Sequence, residues 1–537
     1  MDVILNGNNM KKLLFGLFVI SHLLYSQCNS DPYIGKKLIS INSQNEQIID
    51  SLLQFNIVPF SCRGSLLQSE LIVDDSLLNW LKEEDISFSI INNNVKLMIE
   101  SEMNKIQNKQ SERSVDWYTT YRDFSQIENK INNLVNKSYL AEKIIIGQSY
   151  EGRDITAVKI SSNNDIDNKP SILINGCQHA REWITPMATV YLIEKLLQEY
   201  EVNDEINLFL DYVDVLIVPV VNPDGYVYTW EKDRWWRKNR QINSSNDCIG
   251  TDLNRNWDYD WNGDESTSED PCSYVYVGDS PFSAPETFHL SQYISSIPNL
   301  VSHIDVHNYS SLIVGPWSSS DEITDDNDEI YCLGTQMQSA VSNTNNYPYI
   351  FGTGSVNNLL YFISGGMVDW VYSSFPALSF LYELRPASLY YYDSSFNGLE
   401  AFNNDEEEIE PTCEEFYNGV LEMIKWAYYD NCELMTGCSD PSADNYYCNT
   451  PEGNMGCLYN VDFYNPPQSN GAYTLLSYSL PLGFIDDGSC VYPVSLESSQ
   501  DSKFISKKID ILGRETLSPG FTIIIYNDGT VEKIFTQ

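Results

Sequence analysis

The chain has 537 residues, with 32 basic and 75 acidic side chains and a formal net charge of -43. Such a surplus of negative charge repels nucleic acid and anionic membrane surfaces, so neither is an expected partner. The length allows about three to five domains, one of them large enough to bury a substantial core. We therefore expect one large domain with smaller accessory modules.

The N-terminal segment has the pattern of an export signal. Lys11 and Lys12 precede a mostly apolar run at 13–25. That run is long enough for the core of a signal peptide and too short to cross a bilayer as a helix. We expect a signal peptide over 1–27, a secreted protein and no transmembrane segment.

The region 28–113 is expected to form a small α+β domain. Strand-like and helix-like runs alternate in it, with strands predicted at 37–41, 87–91 and 95–99 and helices at 46–55 and 76–84. The polar segment at 100–113 is predicted to lean toward a helix and carries basic residues that a trypsin-like protease could cut. The sequence therefore predicts a zymogen with a removable prodomain and an activating trypsin-like protease as a partner.

The largest region, 114–430, alternates short apolar strands with helical segments, which is typical of an α/β domain. Its clearest strands are predicted at 171–175, 213–220 and 378–383. The helix predicted after Arg181 has apolar residues on one face at three- and four-residue spacing, so it can pack on a sheet.

Two histidine motifs follow or end predicted strands of this region. His179 and Glu182 follow the strand at 171–175, and His307 ends the run at 303–307. His-x-x-Glu alone is weak evidence, because such pairs are common as ordinary surface contacts. Together, however, two histidines and one glutamate can hold Zn²⁺ with a coordination position left open, which is the arrangement of catalytic zinc sites. One catalytic Zn²⁺ is the candidate cofactor, and the neighbouring motifs must decide between this site and an ordinary surface contact.

At these motifs the chain resembles the zinc carboxypeptidases of the A/B type, over residues 31–430. Five further segments carry the resemblance in the family's order: NPDGY at 222–226, RWWRK at 234–238, DLNRNW at 252–257, SGGMVDW at 364–370 and YELR at 382–385. The resemblance implies an α/β fold with a mixed eight-stranded sheet, helices on both faces and zinc at the C-terminal edges of the strands. It also implies removal of single residues from the C-termini of peptides and proteins.

The resemblance assigns roles at the reaction centre. The zinc ligands by position are His179, Glu182 and His307. Asp252 matches the carboxylate that orients the first histidine through its other ring nitrogen. Glu383, at the end of an apolar strand, matches the general base that activates the zinc-bound water and then protonates the leaving amine.

The resemblance also assigns residues that bind the substrate. Arg237 matches the arginine that stabilises the oxyanion. Arg255, aided by Asn254, matches the clamp for the free C-terminal carboxylate, for which a forked guanidinium is suited. Tyr361 matches a mobile tyrosine that closes over the substrate, and Arg181 matches a residue that contacts the peptide upstream or is structural.

The side-chain pocket is expected to be apolar. Val368 stands at the position that carries an acid in members specific for basic residues. Ile363 and Leu381 match other pocket positions and look bulky. The resemblance therefore implies a preference for aliphatic or aromatic C-terminal residues.

Cysteines mark two further features. Cys248 and Cys272 match the family's disulfide, which leaves Cys177 as a buried free thiol. Beyond the catalytic region, 431–493 is rich in Cys, Gly, Asn and Asp, which indicates a disulfide-held module of unknown function. This module resembles short cysteine-containing repeats of exported proteins.

The final region, 494–537, is expected to form a small β module. Strand-like runs at 509–514 and 521–526 are followed by a hairpin turn at 527–530. This region resembles the C-terminal sorting segment of type IX secretion systems. It implies export machinery as a partner, followed by surface release or attachment.

Two other functions remain open. A non-catalytic peptide-binding protein on the same fold would lack a metal ligand, the base or the clamp, and none of these is missing. A zinc amidase acting on cell-wall peptides is the second alternative. The combination of Arg237, Arg255 and Tyr361 favours ordinary peptides as substrates.

Overall fold

The computed structural model describes most of the region between residues 31 and 429 and short strands beyond it. The described residues are 31–41, 52, 58–59, 70–112, 116–162, 166, 168–243, 248–264, 266–353, 362–386, 402, 406–429, 436–437, 485–486, 505–510, 520–526 and 531–536. The chain divides into two units, one comprising Met1–Val115 with Val227–Trp236 and the other Asp116–Tyr226 with Arg237–Gln537. Among the described residues, every helix is too short or too polar to cross a membrane.

The first unit contains a four-stranded antiparallel sheet in the order β2-β3-β1-β4. Its elements are β1 (Lys37–Ile41), β2 (Val58–Pro59), β3 (Glu70–Val73), α1 (Asp75–Glu83), β4 (Phe88–Asn92) and α2 (Val95–Gln110). Leu77, Leu78 and Leu81 of α1 pack against apolar residues of β1 and β3. The described residues therefore have the predicted α+β arrangement, and the prodomain role stays a prediction.

The strand predicted at 95–99 is wrong, because these residues form the start of α2. Asn94 caps the helix, since its side-chain oxygen accepts the N–H of Leu97 at 3.1 Å. An apolar run of five residues does not distinguish a strand from the first turn of a helix. The helix predicted at 46–55 lies outside the described residues apart from Leu52.

The second unit contains the predicted mixed eight-stranded sheet, in the order β11-β10-β12-β9-β7-β8-β6-β5. Its strands are β5 (Ala141–Gln148), β6 (Asp154–Ile160), β7 (Ser171–Gly176), β8 (Asp214–Val218), β9 (Leu300–Asn308), β10 (Leu312–Gly315), β11 (Ile350–Thr353) and β12 (Leu378–Leu384). Strands β12, β9, β7 and β8 are parallel neighbours, so their C-terminal ends meet at one edge. That edge is where the sequence places the zinc motifs.

Helices cover both faces of this sheet, as predicted. The remaining helices are α3 (Phe124–Lys137), α4 (Ile184–Glu199), α5 (Asp204–Tyr212), α6 (Pro223–Glu231), α7 (Pro285–Ser296), α8 (Asn327–Asn345), α9 (Met367–Ser374) and α10 (Ile409–Tyr429). On one face, Leu173 of β7 shares a core with Leu290 of α7 and Trp370 of α9. On the other face, the ring of Phe416 in α10 lies 5.2 Å from that of Tyr382 in β12.

Helix α4 begins directly after the first metal motif and is more deeply buried than its apolar face predicts. Its polar Thr185 and Thr189 are also buried. Their hydroxyl groups donate to the carbonyl oxygens of Glu182 and Thr185 at 3.0 and 2.9 Å, so neither is left unpaired in the core. The helix is therefore fixed on several sides where it supports the metal motif.

The described strands near the C-terminus form two small sheets. Strand β13 (Thr436–Gly437) pairs with β14 (Ile485–Asp486), and β15 (Ile505–Asp510), β16 (Gly520–Tyr526) and β17 (Val531–Thr536) form an antiparallel sheet. The antiparallel pairing of β16 with β17 agrees with the predicted hairpin, although its turn lies outside the described residues. Apart from β13 and β14, the cysteine-rich module at 431–493 also lies outside the described residues.

One buried carboxyl group, in α7, is held by two hydrogen bonds and has a raised pKa. Glu286, in the first turn of α7, is fully buried. It accepts the N–H of Tyr150 at 3.1 Å and the side-chain amide of Asn239 at 2.7 Å. Burial raises the pKa of Glu286 to about 6, against these two hydrogen bonds, which lower it.

The raised pKa predicts a pH-dependent stability. The protonated carboxyl group favours the folded state, so this stabilisation is complete below the unfolded value of 4.5 and is lost as the pH rises through about 6. Relative to Glu286→Gln, which does not ionise, the parent should lose about 2 kcal/mol of unfolding free energy between about pH 4 and pH 7. Urea unfolding of both proteins at several pH values measures this difference. A pH-independent difference would contradict the assignment.

Candidate active site

Three predicted ligands meet at the C-terminal edge of the parallel strands. His179 follows β7, Glu182 lies just before α4, and His307 is the penultimate residue of β9. Their donor atoms all lie within 4.8 Å of one another, and all three residues are buried. The two Nδ1 atoms are 3.0 Å apart, and each lies 2.8 to 3.1 Å from a carboxylate oxygen of Glu182. The cluster is positioned to bind one metal ion.

The chemistry of the three donors fits zinc. Two imidazole nitrogens and one carboxylate are ordinary zinc ligands, and a set of three leaves a fourth position for water or substrate. Burial favours the neutral form of Glu182, but the two histidines outweigh this effect and hold the pKa of its carboxyl group below its usual range. Glu182 is therefore in the charged form that a divalent cation requires.

Asp252 lies behind the first histidine, as the sequence predicts. Its Oδ1 is 3.1 Å from Nε2 of His179, and its Oδ2 accepts two hydrogen bonds from Arg237, at 2.9 and 3.0 Å. Burial acts to raise the pKa of Asp252, but Arg237 and His179 outweigh it and lower the pKa well below its usual value. The carboxylate can therefore hold His179 with Nδ1 turned toward the other ligands.

A corresponding carboxylate, which was not predicted from the sequence, lies behind the second histidine. Oδ2 of Asp305 is 2.8 Å from Nε2 of His307, and Asp305 is fully buried. The available signal was the spacing, because residues 305 and 307 are two apart on one strand and their side chains lie on the same face.

Glu383 is next to the cluster in the sheet. It lies opposite His307 in the register of β12 and β9. Its Oε2 is buried and has no hydrogen-bond partner among the described residues. Burial raises the pKa of Glu383 to about 8, while the nearby charges of His307 and Arg237 lower it and that of Glu182 raises it. The pairing with His307 places Glu383 beside the cluster.

Asn254 and Arg255 are held in a short 3₁₀ turn beside the cluster. Oδ1 of Asn254 accepts the N–H of Met367 at 2.9 Å, and its Nδ2 is 3.1 Å from Nε2 of His307. Arg255 donates to the carbonyl oxygens of Asn254 and Ser266 at 2.7 and 3.1 Å. The two residues are therefore fixed in place. Tyr361, the third predicted member of this group, lies outside the described residues.

The backbone beside Arg255 requires a glycine. Gly365 has a φ of +64°, and a Cβ atom there would lie 2.5 Å from the carbonyl oxygen of Arg255. A side chain at this position would therefore both strain the backbone and displace the arginine. This explains one glycine of the SGGMVDW segment.

The predicted pocket residues Ile363, Val368 and Leu381 are all buried. Val368 lies in the first turn of α9, next to Asp369. Both oxygens of Asp369 accept backbone N–H groups, from Ser318 at 2.8 Å and Ser319 at 2.9 Å. The carboxylate of Asp369 is therefore bound to backbone N–H groups, and the side chain at position 368 is apolar.

Arg181 is buried, with an exposed fraction of 6%. Its guanidinium carbon lies 4.4 Å from the centre of the Phe402 ring, which is cation–π geometry. Burial, together with the charge of Arg237, lowers the pKa of Arg181 to about 10. Packing against Phe402 supports a structural contribution, and contact with a substrate stays a prediction.

The predicted disulfide is confirmed. Cys248 and Cys272 are bonded at a sequence separation of 24, and their bond closes the loop that contains Asp252 to Arg255. Closing such a loop lowers the conformational entropy of the unfolded chain. In the chain-entropy model this stabilises the folded state by about 3 kcal/mol. Cys177 is a buried free thiol, as predicted.

The sequence is similar to known zinc carboxypeptidases. The model of the zinc carboxypeptidase family matches residues 127–419, more than half of the chain. Mouse carboxypeptidase A1 is 29% identical over 430 residues, which cover 77% of this chain and 98% of the mouse protein. Dog carboxypeptidase B is 28% identical over 433 residues, which cover 77% and 99%.

The crystal structure of thrombin-activatable fibrinolysis inhibitor matches with a TM-score of 0.64 at 29% identity and covers 74% of this chain and 99% of that one. The A-type and B-type relatives are almost equally similar, so overall identity does not indicate which terminal residue is preferred. Since sequence, sheet topology and metal geometry agree, the chain belongs to the zinc carboxypeptidase family and is a metallocarboxypeptidase of the A/B type.

Proposed function

We propose that this enzyme is secreted, releases the C-terminal residue of peptides and proteins, and prefers apolar, aliphatic or aromatic residues at that position. The observation that carries the hydrolytic part of the proposal is the position of Glu383. Its carboxyl group lies in register with His307, and its buried Oε2 has no hydrogen-bond partner among the described residues. Buried carboxyl groups with raised pKa values are typical of catalytic acids and bases.

The chemical step follows from the positions of these side chains. A bound zinc ion would act as a Lewis acid and lower the pKa of water at its open position. Glu383 takes a proton from the attacking water and passes it to the leaving amine, for which a pKa near the working pH is favourable. Arg237 stabilises the negative charge that develops on the scissile carbonyl oxygen.

Hydrolysis is restricted to the C-terminal peptide bond by the proposed carboxylate clamp of Arg255 and Asn254. Arg255 binds the free carboxylate of the substrate through its guanidinium group. Asn254 assists, because Nε2 of His307 carries a hydrogen when Nδ1 binds metal. The amide N–H of Asn254 cannot then donate to that ring and remains for the substrate. Tyr361 closes over the bound peptide.

The preference for apolar residues rests on Val368. Val368→Asp should shift hydrolysis from substrates ending in Phe or Leu toward those ending in Lys or Arg, because a carboxylate at the pocket floor pairs with a basic side chain. It would also impose a desolvation cost on an apolar side chain. We expect the ratio of kcat/KM for Lys over Phe to rise by at least about 100-fold, corresponding to about 3 kcal/mol.

Initial rates on four N-blocked dipeptides measure this ratio, with Val368→Ala as the matched control that shortens the side chain without adding charge. Val368→Ala should keep the preference for apolar ends. An unchanged ratio in folded, zinc-loaded Val368→Asp would contradict the assignment of Val368 to the pocket floor.

The remaining regions are proposed to act in export and activation. Residues 1–27 form a signal peptide, 28–113 a prodomain cut by a trypsin-like protease, and 114–430 the catalytic domain. Residues 431–493 form a disulfide-held module, and 494–537 address the chain to export machinery. Trypsin treatment with N-terminal sequencing tests activation, since the proposal requires a new N-terminus between about 100 and 116.

A further inference from the structure

A line of buried polar side chains leads from the interior of the sheet to the metal cluster. His303, Asp305 and His307 alternate along β9, so all three lie on one face. Asn175 of β7 lies opposite Asp305, and Ser379 of β12 lies opposite His303. None of these five residues is more than 1% exposed. Polar groups so deeply buried are costly unless each has a partner.

Asp305 receives three hydrogen bonds in this line. Its Oδ1 accepts the side-chain amide of Asn175 at 2.7 Å, and its Oδ2 accepts that of Gln178 at 2.7 Å. Nε2 of His307 is the third partner, at 2.8 Å from Oδ2. With Nδ1 of His307 turned to the metal cluster, all three partners are donors. A carboxylate satisfies them, whereas an amide would direct an N–H group at one or more of them.

The two amides are themselves oriented by outer partners. Nε2 of His303 lies 2.8 Å from Oδ1 of Asn175, and its Nδ1 lies 2.8 Å from the hydroxyl group of Ser379. Nε1 of Trp257 donates to Oε1 of Gln178 at 3.1 Å. Each amide oxygen is thus engaged, and each amide nitrogen is left to donate to the carboxylate. The orientation of the carboxylate is therefore set from both sides.

We propose that Asp305 is a positioning residue for His307, which it holds by accepting the Nε2 hydrogen, so that the Nδ1 lone pair is directed at the metal. Asp252 stands in the same relation to His179. The inference rests on the zinc site proposed above. A ligand histidine fixed in this way loses little freedom on binding metal, and its ring is made more basic by the carboxylate.

The test compares the zinc affinity of the metal-free parent with that of Asp305→Asn, by competition with a chelator. We expect Asp305→Asn to bind zinc about 10- to 100-fold more weakly. Asp369→Asn is the matched control, because Asp369 is also a fully buried carboxylate but accepts its hydrogen bonds from Ser318 and Ser319, neither of which is a proposed metal ligand. It should keep zinc affinity within about threefold of the parent, since it does not contact a ligand.

The absorption spectrum of the Co²⁺-substituted proteins is a second readout, independent of turnover. A change of ligand geometry in Asp305→Asn should alter the spectrum, while Asp369→Asn should match the parent. Parental zinc affinity together with a parental Co²⁺ spectrum in folded Asp305→Asn would overturn the proposal.

If Asp305→Asn does not fold, Gln178→Met removes one donor to the carboxylate without touching His307. It should weaken zinc binding by several-fold, and unchanged affinity would equally overturn the proposal. A separate variant distinguishes a wrong role for Asp305 from a wrong zinc site. If the zinc site itself were wrong, His307→Ala would bind zinc as tightly as the parent.

Discussion

Replacement of Glu383 by glutamine is expected to lower kcat by about 100- to 10,000-fold while the enzyme keeps its zinc. The amide has the shape of the carboxylate but cannot accept the proton of the attacking water. It also does not ionise, so it avoids the desolvation cost of a charged carboxylate at this buried position. The folded protein should therefore be at least as stable as the parent.

This prediction is tested by measuring the zinc content, the zinc Kd and single-turnover rates on an N-blocked dipeptide. Glu142→Gln makes the same chemical change at an exposed position of β5, so it should keep parental turnover. Turnover within about tenfold of the parent in zinc-loaded Glu383→Gln would remove Glu383 from the role of general base.

Replacement of Glu182 by glutamine is expected to weaken zinc binding by more than the roughly 10- to 100-fold that is typical for residues outside the ligand set. Glu182 supplies the only negative charge among the three proposed ligands, and its two oxygens lie 2.8 and 3.1 Å from the two histidines. The amide removes that charge and leaves a single weak oxygen donor.

Chelator competition on the metal-free proteins measures the zinc Kd. The thermal unfolding shift between metal-free and zinc-loaded protein gives the same quantity independently, because a ligand of the native state stabilises it in proportion to its affinity. We expect the affinity to fall in the order parent, Asp305→Asn, Glu182→Gln. A zinc Kd for Glu182→Gln within tenfold of the parent would show that the metal lies elsewhere.

The main features of the site could be predicted from the sequence because its motifs are local and are specific in combination. His179 and Glu182 belong to one turn before a helix, and His307 and Glu383 end predicted strands. Parallel strands end at a common edge, which is consistent with these residues meeting there, and the resemblance to the zinc carboxypeptidases assigned their roles. The structure adds their separations and the register of Glu383 with His307.

The sequence was less informative where a residue depends on partners from other strands. Asp305 has an ordinary strand pattern around it, and only the pairing of β9 with β7 shows that Asn175 lies opposite its carboxylate. Burial of Arg181 against Phe402 likewise joins residues far apart in the chain. Tertiary neighbours, which local patterns do not encode, decide both cases.

The helical start of α2 illustrates a different limit. Val95 to Ile99 contains apolar residues at spacings that suit a short strand, and Asn94 was the signal for a helix cap. The cap begins a 16-residue helix whose polar part the sequence analysis did predict as helical. Reading the cap together with that longer segment would have given the correct assignment.

The most direct test of the account is hydrolysis of N-blocked dipeptides ending in Phe, Leu, Lys or Glu by the trypsin-treated full chain. Each substrate is assayed with the native enzyme, after zinc removal by a chelator, and after zinc is restored. The account predicts release of Phe and Leu that disappears with the chelator and returns with zinc. No release from folded, zinc-loaded protein, or release that is indifferent to the chelator, would contradict it.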